Sequence, residues 1–344
     1  DLIPPEKSRF FNWSKPFVQL ETTRGCFNTC AFCVSGGEKP VRTLSIEAIR
    51  ERLQIIHQHG IKNVRVLDRT FNYNTRRAKE LLELFLEYHP DIRFHLEIHP
   101  ALLSEELKEE LKHLPEGLLH LEAGIQSLRE PVLEKSRRMG KLTDALEGLK
   151  FLCSLPNMET HADLIAGLPL YHLSEIFEDI RVLAAYGAGE IQLESLKLLP
   201  GTEMRRRAEE LGIQYSPLPP YEVLQTREIN VSELQTARQL SRLLDGFYNT
   251  PAWQSITRKL ILKKEKFLYR FLEHLIQIGL IDQPISLEKR GLILYEFCKH
   301  NYPEYQLEAS IAWIEAGMSL KKLPAEKVKT KRQVPPENWQ VLYG

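Results

Sequence analysis

The chain has 344 residues, 43% hydrophobic and 27% charged, with 46 Lys+Arg balancing 46 Asp+Glu for a formal net charge of zero. That composition is ordinary for a globular protein, and the length allows one large core with a smaller companion. The neutral balance excludes the broad positive field of a general nucleic-acid binder, and no apolar run approaches the roughly 18 residues of a membrane-spanning helix.

Residues 1–16, with Pro4, Pro5 and Pro16, have no period and read as a lead-in or linker. Phe17–Glu21 is the first predicted strand. Ser45 is placed to cap a helix whose Ile46, Ile49, Leu53 and Ile56 share one face, and Gly60 ends it. Val64–Leu67 is the second strand, residues 76–88 a Leu-rich helix, Phe94–Ile98 the third strand, and Ser104 the start of the next helix. The unit then repeats: strand Leu118–Glu122 with a helix near 143–154, strand Thr160–Ile165 with a helix from about Ser174, and strand Glu190–Glu194 with a helix over Thr202–Leu211. Six successive βα units predict a parallel sheet with right-handed crossovers. Periodicity leaves open whether that sheet is doubly wound or curves into a barrel. Composition changes at Tyr215-Ser-Pro-Leu-Pro-Pro220. A βα core over 17–215 is therefore expected to give way to a smaller, mainly helical region over 216–344. Lys321, Lys322, Lys327, Lys329, Lys331 and Arg332 read as a solvated basic tail.

Three of the five cysteines, Cys26, Cys30 and Cys33, fall within eight residues directly after the first strand. Functional loops of parallel αβ folds occupy the carboxyl ends of strands. The C-x3-C-x2-C spacing lets one loop present three thiolates to a single metal object. Structural zinc requires four ligands, commonly from paired C-x2-C elements, whereas Cys153 and Cys298 are far along the chain and read as core residues. Electron-transfer [4Fe-4S] clusters normally take four cysteines, so three leave one iron open to an exogenous ligand. Clustering of this kind, rather than a disulfide framework, points to metal binding in a reducing cytoplasm.

The triad, with the aromatic Phe32 before its last cysteine, resembles the signature of the radical S-adenosylmethionine (SAM) superfamily. The resemblance covers residues 16–215 and implies an α/β fold, a (β/α)6 partial TIM barrel, followed by the helical region. It further implies a [4Fe-4S] cluster on Cys26, Cys30 and Cys33. SAM would bind at the open iron and be cleaved reductively to a 5′-deoxyadenosyl radical that takes hydrogen from a substrate. Phe32 would pack beside the adenine. After the second strand, Leu67-Asp-Arg-Thr-Phe-Asn72 stands where many members have Gly-Gly-Glu. It is similar to the subgroup that includes cobalamin-dependent members and implies a SAM contact from Asp68 or Thr70, a strand-end cap being the alternative. Gly36-Gly37-Glu38 follows the cysteines too closely to be that motif and reads as loop. Glu97, closing the third strand, is either a salt-bridge partner or an acceptor for a ribose hydroxyl, and the resemblance implies the latter.

Glu122-Ala-Gly-Ile-Gln-Ser127 resembles the Gly-x-Gln-Ser pattern of a large branch of the family. It implies that Gln126 contacts the SAM ribose or methionine end and that Arg138 pairs with the SAM carboxylate, a task suited to a planar guanidinium. Arg137 is an adjacent competitor, and Ser127 could serve only as a helix cap. Ala162–Pro169 resembles Asp-Leu-Ile-x-Gly-Leu-Pro, implying Asp163 on the ribose and Ile165 beside adenine, with Leu170-Tyr171-His172 in place of the commoner continuation. Leu199, after the sixth strand, would line the adenine pocket.

The region after Pro219 is similar to a helical extension found on B12-type members. With Asp1 rather than Met at the start, the expectation is a cytoplasmic piece of a longer product whose upstream αβ domain binds cobalamin. The implied reaction is hydrogen abstraction, extending to cobalamin-linked methylation or rearrangement. The substrate is expected to be a small molecule or peptide and the reductant a flavodoxin or ferredoxin, with no membrane or nucleic-acid partner. A non-catalytic Fe–S electron-transfer or assembly protein is the alternative, and it would need a fourth cluster ligand. A third reading is a methylthiotransferase acting on RNA, which would usually require three more cysteines for an auxiliary cluster, and this sequence lacks them.

Overall fold

The computed structural model describes residues 4–322 and 324, so Lys327, Lys329, Lys331 and Arg332 of the expected basic tail lie outside the described residues. Six parallel strands, β1 (Val18–Leu20), β2 (Asn63–Val66), β3 (Arg93–Ile98), β4 (Leu119–Gln126), β5 (Glu159–Ala166) and β6 (Glu190–Ser195), pair strictly in chain order. A doubly wound sheet starts in its middle and reverses at a switch point. This one runs in a single direction from edge to edge, the singly wound order of an opened barrel.

The intervening helices are α1 (Ile46–Gln58), α2 (Thr75–Leu86), α3 (Glu105–His113), α4 (Glu130–Lys135), α5 (Leu142–Ser154) and α6 (Leu173–Tyr186). Ser45, Asn74 and Ser104 accept from the backbone N–H of Ala48, Arg77 and Leu107, satisfying donors that the first turns of α1, α2 and α3 leave free. Alternation along the strands sorts the two faces. Phe94, Leu96 and Ile98 of β3 and Leu119, Leu121, Ala123 and Ile125 of β4 are buried. Phe94 stacks on Phe85 of α2 at 4.0 Å between centroids, which identifies the apolar face as the one under the helices. Each fully buried side chain of this size stabilises the fold by about 1.5–3 kcal/mol. The intervening residues, His95, Glu97, His120, Glu122, Gln126 and Asp163 among them, are only part-buried and belong to the opposite, concave face.

The expected lead-in is not wholly free. Pro5–Lys7 forms a short 3-10 turn, and the buried Glu6 carboxylate pairs with Arg52 of α1 at 2.6 Å. Stripping one partner from such a pair would strand a buried charge, so this segment is part of the core's packing.

The domain boundary expected at 215/216 also moves. Among the described residues, the first compact unit extends to Gln283 and the second begins at Pro284. After the short α7 (Glu203–Arg206) and α8 (Ala208–Leu211), the helices α9 (Val231–Leu243), α10 (Pro251–Lys263) and α11 (Phe267–Gln277) belong to the first unit. The physical reason lies at the edge strand β6. The Asn249 side chain accepts from Ile191 N at 2.9 Å and donates to Ile191 O at 3.0 Å, taking the place of a further strand. Tyr248 donates to Ala188 O at 2.7 Å. The Pro-rich stretch is therefore a turn within one unit. The second unit carries α12 (Leu287–Asn301), which holds the buried Cys298, and α13 (Gln306–Glu315). Within it Lys322 pairs with Glu288 at 3.0 Å. Among the described residues no helix is long and apolar enough to cross a membrane.

Candidate active site

The carboxyl end of β1 opens into the cysteine loop. Gly25 takes a φ of +98°, and a side chain there would meet Glu38 O at 2.6 Å, so only glycine fits the turn. Cys26 N then donates to Glu38 O, Cys33 N to Cys30 O and Gly37 N to Asn28 O. Gly36 lies so close to the Cys30 and Cys33 carbonyls that a Cβ would sit 2.5 and 3.1 Å from them. Gly36-Gly37-Glu38, expected to be an incidental loop, is thus what closes the cysteine loop on itself. Asn28 anchors it sideways, its Oδ1 accepting from Met139 N at 3.1 Å, while Ala31 N donates to Ser136 O and Ala31 O accepts from Met204 N.

The three cysteines share a cavity of about 140 Å³ with Phe32, Arg69, Thr70, Glu97, His99, Glu122, Gly124, Gln126, Arg138 and Asp163. Five of the eight residues expected around the cofactor, Phe32, Glu97, Gln126, Arg138 and Asp163, therefore converge on the triad, and Asp68, Ile165 and Leu199 do not line the cavity. Asp68 is a clasp beneath the loop: its carboxylate accepts from Thr22 N and Thr23 N, each at 2.8 Å, and from the Thr22 hydroxyl. Both oxygens are consumed, so the strand-end cap is what the structure assigns it. Thr70, the other candidate at this strand end, does reach the site, its hydroxyl 3.8 Å from Cys26 Sγ. Ile165 is half-buried on β5, two residues beyond Asp163, and Leu199 is half-buried in the loop after β6. A larger cavity, about 790 Å³, lies between the N-terminal segment and α1 but holds no thiol, so size does not locate the chemistry here.

Arg138 and Arg137 separate cleanly. Arg137 turns outward to Glu203 at 2.5 Å, whereas Arg138 enters the cavity, donating to Gly124 O and approaching Cys30 Sγ at 3.8 Å. Burial raises the Cys30 thiol pKa and the Arg138 cation partly opposes it. Gln126 ends β4 with a φ of +72°, a costly conformation for a residue with a side chain. A Cβ at Gly124 would meet Gln126 Nε2 at 2.5 Å. The glycine clears the space, and the turn aims the amide into it. Ser127 accepts from Arg129 N at 3.2 Å, a local turn ahead of α4; the N-cap of that helix is Arg129 and has no side-chain cap, so Ser127 does not serve as the expected helix cap.

The register sets carboxylates side by side: Glu97 pairs with Glu122 across β3 and β4, and Gly124 with Asp163 across β4 and β5. Burial, reinforced by Glu122, pushes Glu97 up to about 7 against the pull of Arg69, 3.8 Å away. Glu122 and Asp163 titrate as a pair. Burial raises Asp163, while Glu122 is held low despite burial by hydrogen bonds from His95, at 2.7 Å, and from Asp163. His99 donates from Nε2 to Met139 O, leaving Nδ1 buried without a partner, and burial beside Arg138 drops its pKa to about 3. It is a neutral ring with an unused acceptor at the cavity wall. Glu122, His99 and Arg69 were missed from the sequence. The period-two run His120, Glu122, Gly124, Gln126 on one strand face was the signal that could have found the first.

The substitution of Leu170-Tyr171-His172 after β5 has a structural account. Tyr171 is fully buried and donates to Asp179 at 2.6 Å, and Asp179 also receives Arg129, so the loop is pinned to α6. Cys153 is half-buried on α5 and not a core residue, and burial raises its thiol to about 12.

A parallel partial barrel with three thiols, a guanidinium and a row of carboxylates at its carboxyl end is the architecture of an enzyme built to hold a metal cluster and a zwitterionic cofactor. Residues 20–183 match the model of the Radical SAM superfamily, and this region is a radical SAM domain. Residues 209–320 match the family described as Protein of unknown function (DUF4080). An uncharacterized methyltransferase of Pyrococcus horikoshii is 32% identical over 138 residues, 39% of this chain and 29% of that protein. The ribosomal protein uS12 methylthiotransferase RimO of Moorella thermoacetica is 27% identical over 196 residues, 53% of this chain and 44% of that protein. The chain thus spans less than half the length of either relative. Among solved structures, the radical SAM methyltransferase TsrM from Kitasatospora setae, with tryptophan and a SAM analog bound, shares the fold at a TM-score of 0.50 and 18% identity, over 62% of this chain and 43% of that one.

The residues fit the implied groups. Three thiols on one closed loop suit a cluster with an open iron, and the orphaned His99 Nδ1 and the mixed cationic and anionic lining suit a zwitterion.

Proposed function

We propose that this chain catalyses a methyl-transferring radical reaction, with a [4Fe-4S] cluster on Cys26, Cys30 and Cys33 and SAM beside it. One observation carries the reading: the thiols share a single cavity with Phe32, Thr70, Glu97, Gln126, Arg138 and Asp163. When bound, the reduced cluster supplies the electron that cleaves the SAM sulfonium. Arg138 holds the SAM carboxylate, the acceptor its guanidinium matches. Glu97 and Asp163 accept from the ribose and amino groups, and Phe32 covers the adenine. Glu97, with a pKa near 7, carries or releases a proton at working pH. Methyl transfer is supported by the methyltransferase and methylthiotransferase relatives. Cobalamin is supported by the fold shared with TsrM, whose structure has also been determined with cobalamin and a [4Fe-4S] cluster bound. A small molecule or peptide is the substrate class, and a flavodoxin or ferredoxin in a reducing cytoplasm the electron source. A non-catalytic electron carrier would need a fourth protein ligand, where the cavity lining offers charged groups instead.

The test is anaerobic reconstitution followed by dithionite and SAM. About four irons per chain and release of 5′-deoxyadenosine, or of S-adenosylhomocysteine when hydroxocobalamin is added, are expected. Full cluster loading with neither product would refute the reading.

A further inference from the structure

Beside the thiol-lined cavity, and separated from it by Asp163, the concave face brings a second set of ligating side chains together. His120 of β4, His161 of β5 and Glu190 of β6 stand on three adjacent strands, His161 and Glu190 being register partners. Each offers one ligand atom, and these atoms lie within 4.8 Å of one another. His161 Nδ1 is 3.9 Å from Glu190 Oε2, and the two imidazoles meet edge-on with centroids 6.0 Å apart. His120 Nε2 is buried with no hydrogen-bond partner. Gly124, in the thiol-lined cavity, is four residues further along β4 than His120, about 13 Å at roughly 3.3 Å per residue.

We propose that His120, His161 and Glu190 form a divalent transition-metal site of the zinc type, distinct from the thiol site. The far side of the His161 ring is provided for as a ligating histidine requires. His161 Nε2 is 2.8 Å from Asp163 Oδ1, out of line for a hydrogen bond until the ring tilts, which frees Nδ1 for the metal. His120 Nδ1 accepts from Arg93 at 3.3 Å, and Glu159, which pairs with Arg93 at 2.6 Å, lies 3.7 Å from the same nitrogen. Metal binding at Nε2 moves the ring proton to Nδ1, which exchanges the bond from Arg93 for one donated to Glu159. Two imidazoles and one carboxylate select zinc over magnesium or calcium. Closing to tetrahedral geometry brings the donors to about 3.3 Å apart, from metal–ligand distances of about 2.0–2.1 Å. Three protein ligands leave a fourth position for water or an oxygen of a bound molecule.

The experiment uses the full chain, reconstituted with its cluster and titrated with zinc sulfate alone, then desalted. Zinc and iron are counted by mass spectrometry, and the zinc K-edge spectrum is recorded. About one zinc per chain with nitrogen and oxygen neighbours is expected, and zinc is retained in the Cys26/Cys30/Cys33→Ala variant. His120→Asn and Glu190→Gln should each weaken zinc binding at least tenfold with iron content and thermal melt unchanged. Sulfur neighbours in the zinc spectrum, zinc loss in the cysteine variant, unchanged affinity in folded His120→Asn, or no zinc at micromolar concentration would each overturn the proposal. If the cysteine variant does not fold, the wild-type spectrum decides alone.

Discussion

Arg138 offers the most direct perturbation of the site. Its guanidinium donates to Gly124 O and stands 3.8 Å from Cys30 Sγ. Two unit charges about 4 Å apart interact by about 1 kcal/mol in bulk water and about 4 kcal/mol at an effective dielectric of 20. The side chain is half-buried, so Arg138→Ala should forfeit about 2–3 kcal/mol of attraction for an anionic group placed there. That is a 30- to 150-fold rise in the SAM dissociation constant, read by equilibrium dialysis of the anaerobic protein. The same loss of positive charge beside a cluster thiolate should move the cluster midpoint negative by about 90–130 mV, following the one-electron relation of about 59 mV per tenfold. Arg138→Lys keeps the charge and loses the fork; its potential should stay near wild type while its SAM affinity falls in part. Iron content should be unchanged in both, because the cysteine loop closes through its own backbone. Wild-type SAM affinity together with an unmoved midpoint in Arg138→Ala would refute the assignment.

The Cys26/Cys30/Cys33→Ala variant should lose all iron and the brown chromophore, whereas Cys153→Ala and Cys298→Ala keep about four irons. Equal loss in either single variant would discard the three-ligand arrangement. Asp68→Ala removes a buried acceptor of three hydrogen bonds, so urea denaturation should show about 2–4 kcal/mol lost. A SAM-binding defect without destabilisation would return Asp68 to the cofactor. Glu97 is raised to about 7 by burial and by Glu122. The folded state therefore keeps a proton that the unfolded chain has released, and the stability contributed at this site is full below about pH 4 and lost as pH rises through 7. Glu97→Gln should flatten the fall in melting stability between pH 5 and 8. With a third of the side chain exposed, the effect is on the order of 1 kcal/mol after solvent screening. A parallel pH profile in the variant would show that Glu97 has an ordinary pKa.

Part of this molecule was legible in its residues alone. Hydrophobic period is a local property, so the six strands, the capped helices and the C-x3-C-x2-C loop after β1 stood in the chain order that the structure has. Gly124, Gln126 and Arg138 were legible as a group because residues on one strand and in the short segment after it travel together, although Arg138 stands in the turn beyond α4 and not in the helix. What required the fold was every relation between distant segments. Strand order decided between an opened barrel and a doubly wound sheet, since pairing partners are set by packing and not by period. Asp68 lies just past the end of β2 and Arg138 in the turn between α4 and α5, both charged residues near the cysteine loop. One is turned inward to Thr22 and Thr23 and the other toward Cys30, a difference of direction that only burial fixes. The proline-rich stretch at 215–220 looked like a boundary, yet Tyr248 and Asn249, more than fifty residues beyond β6, bind the exposed backbone at that edge. Unpaired backbone groups take the nearest good partner in space, and the distance along the chain does not enter. The adjacency of His120, His161 and Glu190 arises in the same way, from the register of three strands whose sequences are separated by whole helices.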